Sequence, residues 1–221
     1  MEVESASPSM EALERKRRSI SRLKNESVPT IEHLPVIEDS MTAKLRSREE
    51  IATRAIATCL TAVKGEGLEQ SVIDSVVKEY QAEEFFSPKE TVFIQDATAS
   101  QIERIQFCWR YECYWVFLWV LGYVERLDRP DRICDVPGAV DILREAGTEK
   151  FILDGRARPM SEILDAADLV YRYHWAVVDA RLGSRPAPAN LDAGVVKERH
   201  YALNWLIGYC GQEWDDVTTD T

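Results

Sequence analysis

The amino-acid sequence predicts an all-α fold, a single multi-helix domain with a loosely attached N-terminal arm. Three observations predict it. Apolar residues recur at helical spacing through most of the chain after residue 46, and helix-start signals stand ahead of several of these runs. Alternating strand patterns are scarce, with Phe151-Ile152-Leu153 the one short candidate. A length of 221 residues, 45% hydrophobic and 29% charged, suits one substantial core. The expected division is an arm over residues 1–44, partly disordered or peripheral, and a helical domain over 45–221.

The arm is rich in Ser, Glu, Lys, Arg and Pro and has no Trp, Tyr or Phe. Met10 to Lys24 is expected to form a helix when held against something, with Pro29 to Pro35 extended after it. The basic run Arg15, Lys16, Arg17 and Arg18 reads as a solvated helix face or tail rather than a nucleic-acid or lipid contact, since glutamates flank it. Ser47 and Glu50 then form a capping box ahead of Ile51, Ala55, Ile56, Cys59, Leu60 and Val63, and Gly65 and Gly67 close that helix. Val72, Ile73, Val76, Val77 and Tyr80 mark the next. Ser87-Pro88-Lys89-Glu90 supplies an N-cap, a first-turn proline and a box glutamate. Thr98 and Gln101 suggest another box before a long helical segment, Ile102–Leu127. Arg129-Pro130 interrupts the chain. A short helix is expected from about Pro137 to Ala146, ended by Gly147. The closing pair is Ser161–Leu182 and Val195–Tyr209.

Composition excludes some functions. A net charge of −11 opposes general nucleic-acid binding, which needs clustered Lys and Arg. The longest apolar run, Cys113 to Val124, is too short to span a bilayer. The five cysteines form no C-x-x-C pair and sit mostly in apolar helical contexts, as free thiols of a reducing cytosol do. With no apolar leader at the N-terminus, a cytoplasmic location is expected.

The closing helices and the stretch around Trp109–Val124 carry charges where aliphatic residues are usual. Arg110, Glu112, His174, Arg199 and His200 fall on faces otherwise built of Leu, Val, Ile, Tyr and Trp. Desolvating such a charge alone costs several kcal/mol, so each needs a partner. Arg199 falls inside the apolar arc of its helix, and Glu112 is the best carboxylate for its guanidinium fork. Arg110 lies about 160° around the helix from Glu112 and must reach another acid, with Asp165 or Asp168 as candidates. On Ser161–Leu182, the residues Glu162, Asp165, Asp168, Arg172 and Asp179 form a polar arc expected to face water, supported by the Asp168–Arg172 pair. His174 sits opposite, as a core imidazole bonded to a carbonyl or carboxylate.

Several strings in order resemble one bacterial family, known by the domain-of-unknown-function number 4272. They include Arg46-Ser47-Arg48-Glu49-Glu50-Ile51, Trp109-Arg110-Tyr111-Glu112, Asp168-Leu169-Val170-Tyr171-Arg172, His174-Trp175-Ala176, Glu198-Arg199-His200-Tyr201 and Trp214-Asp215-Asp216. The resemblance covers about residues 45 to 220 and implies no reaction.

Known catalytic spacings are absent: no phosphate-binding or dinucleotide-binding glycine pattern, no G-x-S-x-G, no H-E-x-x-H, and no E-x-x-H ahead of His174 or His200. The expected function is therefore a non-enzymatic interaction or scaffold domain organised by a buried Arg/Glu/His network. The alternative is a hydrolase or transferase acting on an anionic, phosphate-containing substrate. Its catalytic candidates are Glu198 or His200 as base and Arg110 or Arg199 as anion holder, clustered with Glu112, His174 and Asn204. Asp165 and Asp168 are the metal-ligand candidates of that alternative. No cofactor is expected, and the partner is an unknown protein or a small anionic ligand. Near the C-terminus, Trp214 is expected to fold back on the domain while Asp215 and Asp216 cap a helix or pair with an arginine.

Overall fold

A computed structural model describes residues 7–221. Every regular element among them is helical: α1 Met10–Asn25, α2 Arg48–Gly65, α3 Gln70–Glu79, α4 Pro88–Gln95, α5 Gln101–Cys108, α6 Arg110–Val120, α7 Val136–Asp154, α8 Met160–Leu182 and α9 Ala193–Leu206, with short 3-10 turns after α8 and α9. α6 is apolar on nearly every side and runs through the core, with Cys113, Tyr114, Val116, Phe117, Leu118 and Val120 fully buried. α2 packs on one side of it and α9 on the other; α8 then covers α9, and α1 covers α8.

Local chemistry accounts for the helix starts. Ser47 and Ser87 accept from the backbone N–H groups of Glu50 and Glu90, and each glutamate side chain reaches back to its cap. A third box is present two residues further on than expected, with Ser100 and Glu103 in place of Thr98 and Gln101. The long segment expected over Ile102–Leu127 is two helices. α5 has no buried residue and cannot continue into the core, so the chain turns at Trp109 before α6 enters it. α6 then ends in a Schellman motif: Tyr123 N–H reaches Leu118 C=O, Gly122 N–H reaches Trp119 C=O, and Gly122 holds the required positive φ of 78°.

Two further expectations change. Phe151-Ile152-Leu153 is helical: Gly147, at φ 66° and ψ 167°, ends the first helical stretch as expected, and a second stretch follows it directly within α7. Gly65 serves packing as well as termination. A Cβ there would stand 2.7 Å from the Arg104 carbonyl oxygen and 2.9 Å from the Cys108 nitrogen, so only glycine lets α5 lie this close to α2. Replacing a glycine by alanine in a helix normally stabilises by about 0.5–1 kcal/mol. Gly65→Ala is expected to do the reverse and cost about 1–3 kcal/mol by overpacking against backbone. A urea midpoint at or above that of the parent would show that α5 can move aside.

The arm joins the domain through one face of α1. Ala12, Arg15, Ser19 and Leu23 recur at intervals of three or four, and all are buried. Leu23 enters a small core with Val28, Tyr173, Ala176, Val177, Leu191 and Val196. The basic run is thus split: Arg15 faces inward while Arg17 and Arg18 stay exposed. Leu23→Ala is expected to cost about 2–3 kcal/mol, the penalty of a cavity in a packed core. A cost near zero would mean that α1 detaches readily.

Candidate functional site

The residues singled out in the sequence divide into separate pairs. Glu112 on α6 and Arg199 on α9 meet as expected, Nε to Oε2 at 3.0 Å, with only 2% and 3% of their side chains exposed. Glu112 Oε1 also accepts from Cys134 N–H at 2.6 Å, and Arg199 Nη1 donates to the Asp128 carbonyl at 2.6 Å. This pair therefore anchors the middle and the far end of the long connection between α6 and α7. Arg158 anchors the same connection from the other side, donating to Trp119, Val124 and Glu125 carbonyls.

Arg110 reaches neither Asp165 nor Asp168. Its Nη1 donates to Glu198 Oε2 at 2.9 Å, and its guanidinium lies 4.1 Å from the Tyr201 ring centre. Burial pushes the Arg110 pKa down, but the Cys113 sulfur and Glu198 carboxylate outweigh it and the net shift is upward. Cys113 Sγ lies 3.3 Å from Glu198 Oε2; burial first, and that carboxylate second, push its thiol well up, so it is a poor nucleophile. Glu198, the candidate base, is thus held as the counter-ion of Arg110.

His174 and His200 bond to each other, Nδ1 to Nδ1 at 2.8 Å, rather than to a carbonyl or carboxylate. One ring must donate and the other accept, so the contact requires at least one neutral imidazole. Burial lowers His174 to about 4, helped by Lys197 and Arg181, and lowers His200 to about 3, helped by His174. Both are buried. Asn204 lies beside His200, whose protonated form it favours, and donates its amide to the Thr218 carbonyl at 2.8 Å.

The polar arc of α8 does not simply face water. Asp168 takes Arg172 through both oxygens, at 2.9 and 2.7 Å, and Arg172 also donates to the Pro35 carbonyl. Both are buried under the arm, an arrangement that an i, i+4 reading of α8 alone could not reveal. Asp165 is occupied by Arg15 at 3.2 Å and Arg18 at 2.6 Å. The two metal-ligand candidates therefore face guanidinium groups. Among the described residues, no group of three or more His, Cys, Asp or Glu is placed to hold a metal ion.

One pair was missed in the sequence. Arg54 on α2 meets Glu90 at the start of α4, both buried, and Glu90 also accepts from Trp214 Nε1 at 2.9 Å. The capping box disclosed Glu90 as a cap residue and hid its second partner. Trp214 is buried as expected, and Asp215 caps α4 by accepting from Ser87 Oγ and Lys89 N–H.

These features define a class: an all-helical domain whose helices are pinned by buried ion pairs, with the connection between α6 and α7 held down by arginines. The chain matches the family described as domain of unknown function (DUF4272) over residues 15–217 and belongs to it. The match begins within α1, so most of the arm lies inside the family region rather than before it. No curated protein and no solved structure matches the chain. Among the described residues, no helix is long and apolar enough to cross a membrane.

Proposed function

We propose that the chain is a non-enzymatic interaction or scaffold domain of the bacterial cytosol, taking a protein partner or a small anionic ligand. The observation that carries this reading is the mutual neutralisation of its ionisable candidates. Glu198 answers Arg110, Glu112 answers Arg199, and His200 answers His174. A general base needs open access and a free lone pair toward substrate; His200 is sealed and Glu198 is spent on a guanidinium. Buried pairs of this kind specify one helix arrangement and one path for the 121–135 connection, which suits a surface that must keep its shape. Free cysteines, four of them at least partly shielded, agree with a reducing compartment.

The test is turnover. The purified full chain is incubated with a bacterial metabolite extract and followed by mass spectrometry, beside Glu198→Gln and His200→Gln variants. No metabolite is expected to be consumed by the parent and spared by either variant. One that is would overturn the reading in favour of a hydrolase or transferase.

A further inference from the structure

A cavity of about 790 Å³ opens between α1, α8, α9 and the 121–135 connection. Its size is that of a small-molecule site. Six arginines line it, Arg22, Arg126, Arg129, Arg132, Arg158 and Arg199, against four carboxylates. A recess that shares Arg22 and Asp165 with it adds Arg15 and Arg18. The chain as a whole has 38 acidic and 27 basic residues, so this concentration inverts the overall balance. Each of the six has a carboxylate partner in the chain, so the basic excess lies in which groups face the cavity and not in unpaired charge.

The arginines are not equivalent. Arg129 and Arg158 spend all three nitrogens on carboxylates and carbonyls of the chain, and are staples. Arg22 commits Nε to Glu26 and lies against the Tyr173 hydroxyl. Arg199, with 3% of its side chain exposed, is fixed through Nε and Nη1, while no described residue takes its Nη2. Arg126 and Arg132 stand at the rim, 78% and 84% exposed, each paired only with a near neighbour in the same connection. Such exposed pairs contribute little and exchange readily for a stronger anion. Trp119, Leu127, Pro130 and Leu169 supply an apolar part of the wall.

The geometry points to a binding site for a small organic polyanion of the phosphorylated, nucleotide-sized class. Arg199 forms a rigid floor contact, Arg22, Arg126 and Arg132 close on the remaining charge, and the apolar wall takes the uncharged portion. Planar guanidinium forks suit phosphate oxygens, and a cleft of this depth suits a small ligand better than an extended chain. This deepens the interaction reading by naming a ligand class, and it concerns binding without turnover.

Isothermal titration of the full chain at 150 mM salt tests it, with ATP and inorganic tripolyphosphate as probes and adenosine and a pentaglutamate peptide as controls. ATP and tripolyphosphate are expected to bind saturably. Arg126→Gln/Arg132→Gln, exposed positions that leave the fold intact, is expected to weaken both by about tenfold or more, as loss of two charge-assisted contacts implies. Arg22→Gln should weaken them further. Absence of saturable binding by the parent overturns the site, as does equal binding by the double variant. Tighter binding of pentaglutamate than of tripolyphosphate would overturn the phosphorylated class in favour of an acidic peptide. Each of these outcomes leaves the turnover result of the preceding section unaffected.

Discussion

Arg199→Ala is expected to lower the unfolding free energy by about 3–5 kcal/mol, the usual consequence of breaking a buried ion pair from one side. The reason is asymmetry. Glu112 stays buried, keeps only the Cys134 N–H, and loses the guanidinium that made its charge tolerable. The variant also frees the Asp128 carbonyl, so the damage should concentrate in the 121–135 connection. Urea unfolding gives the size of the effect, and amide hydrogen exchange gives its location. A double replacement, Glu112→Leu with Arg199→Met, should recover most of the loss, because it removes both charges and refills the volume. A single variant as stable as the parent would show that the pair sits in water. A double variant as poor as the single would show that shape, and not charge, is what matters there.

Stability is expected to fall by about 2–4 kcal/mol between pH 7 and pH 5, driven by the two buried histidines. In the unfolded chain both take up protons as pH drops through about 6.5. In the folded chain they stay neutral until about 4 and about 3. The unfolded state therefore binds more protons in that window, and stability drains as pH falls through it. Lys197 and Arg181 face His174 and make its protonation harder still, while Asn204 favours it slightly at His200. Carboxylates with lowered values, such as Glu26 and Glu50, lose their contribution only below their ordinary value of 4.5 and do not explain a change above pH 5. Urea midpoints at pH 7, 6 and 5 measure the slope, and His174→Gln/His200→Gln should flatten it. A parent whose midpoint holds steady from pH 7 to pH 5 would mean that the pair titrates normally in the fold.

Much of the fold was legible because its signals are local. A serine three residues ahead of a glutamate reports a helix start whatever lies beyond it, and this located α2 and α4; for α5 the same logic chose Thr98 where Ser100 is the cap. The error over Ile102–Leu127 has a physical source as well. Helical periodicity cannot distinguish one long helix from two in register, and the break at Trp109 depends on α5 being solvent-exposed and α6 being surrounded. For the candidate site, the Glu112–Arg199 pair was inferable because each residue was a lone charge on an apolar face and they carry opposite sign. Arg110 offered several acids of equal plausibility, and its choice of Glu198 rests on how α6 and α9 dock.

By itself the sequence determined that this protein is helical, where several of its helices begin, and that certain charges must be neutralised inside it. Those properties follow from propensity, capping and the cost of desolvating a charge, which act over a few residues. The tertiary structure alone decided that two histidines bond to each other, that Arg54 meets Glu90, that the arm covers Asp168 and Arg172, and that arginines from α1, α9 and one connection surround a single cavity. These depend on which helix faces which and at what distance. Many near-equivalent dockings would satisfy the same local rules, and close packing of the whole core selects one.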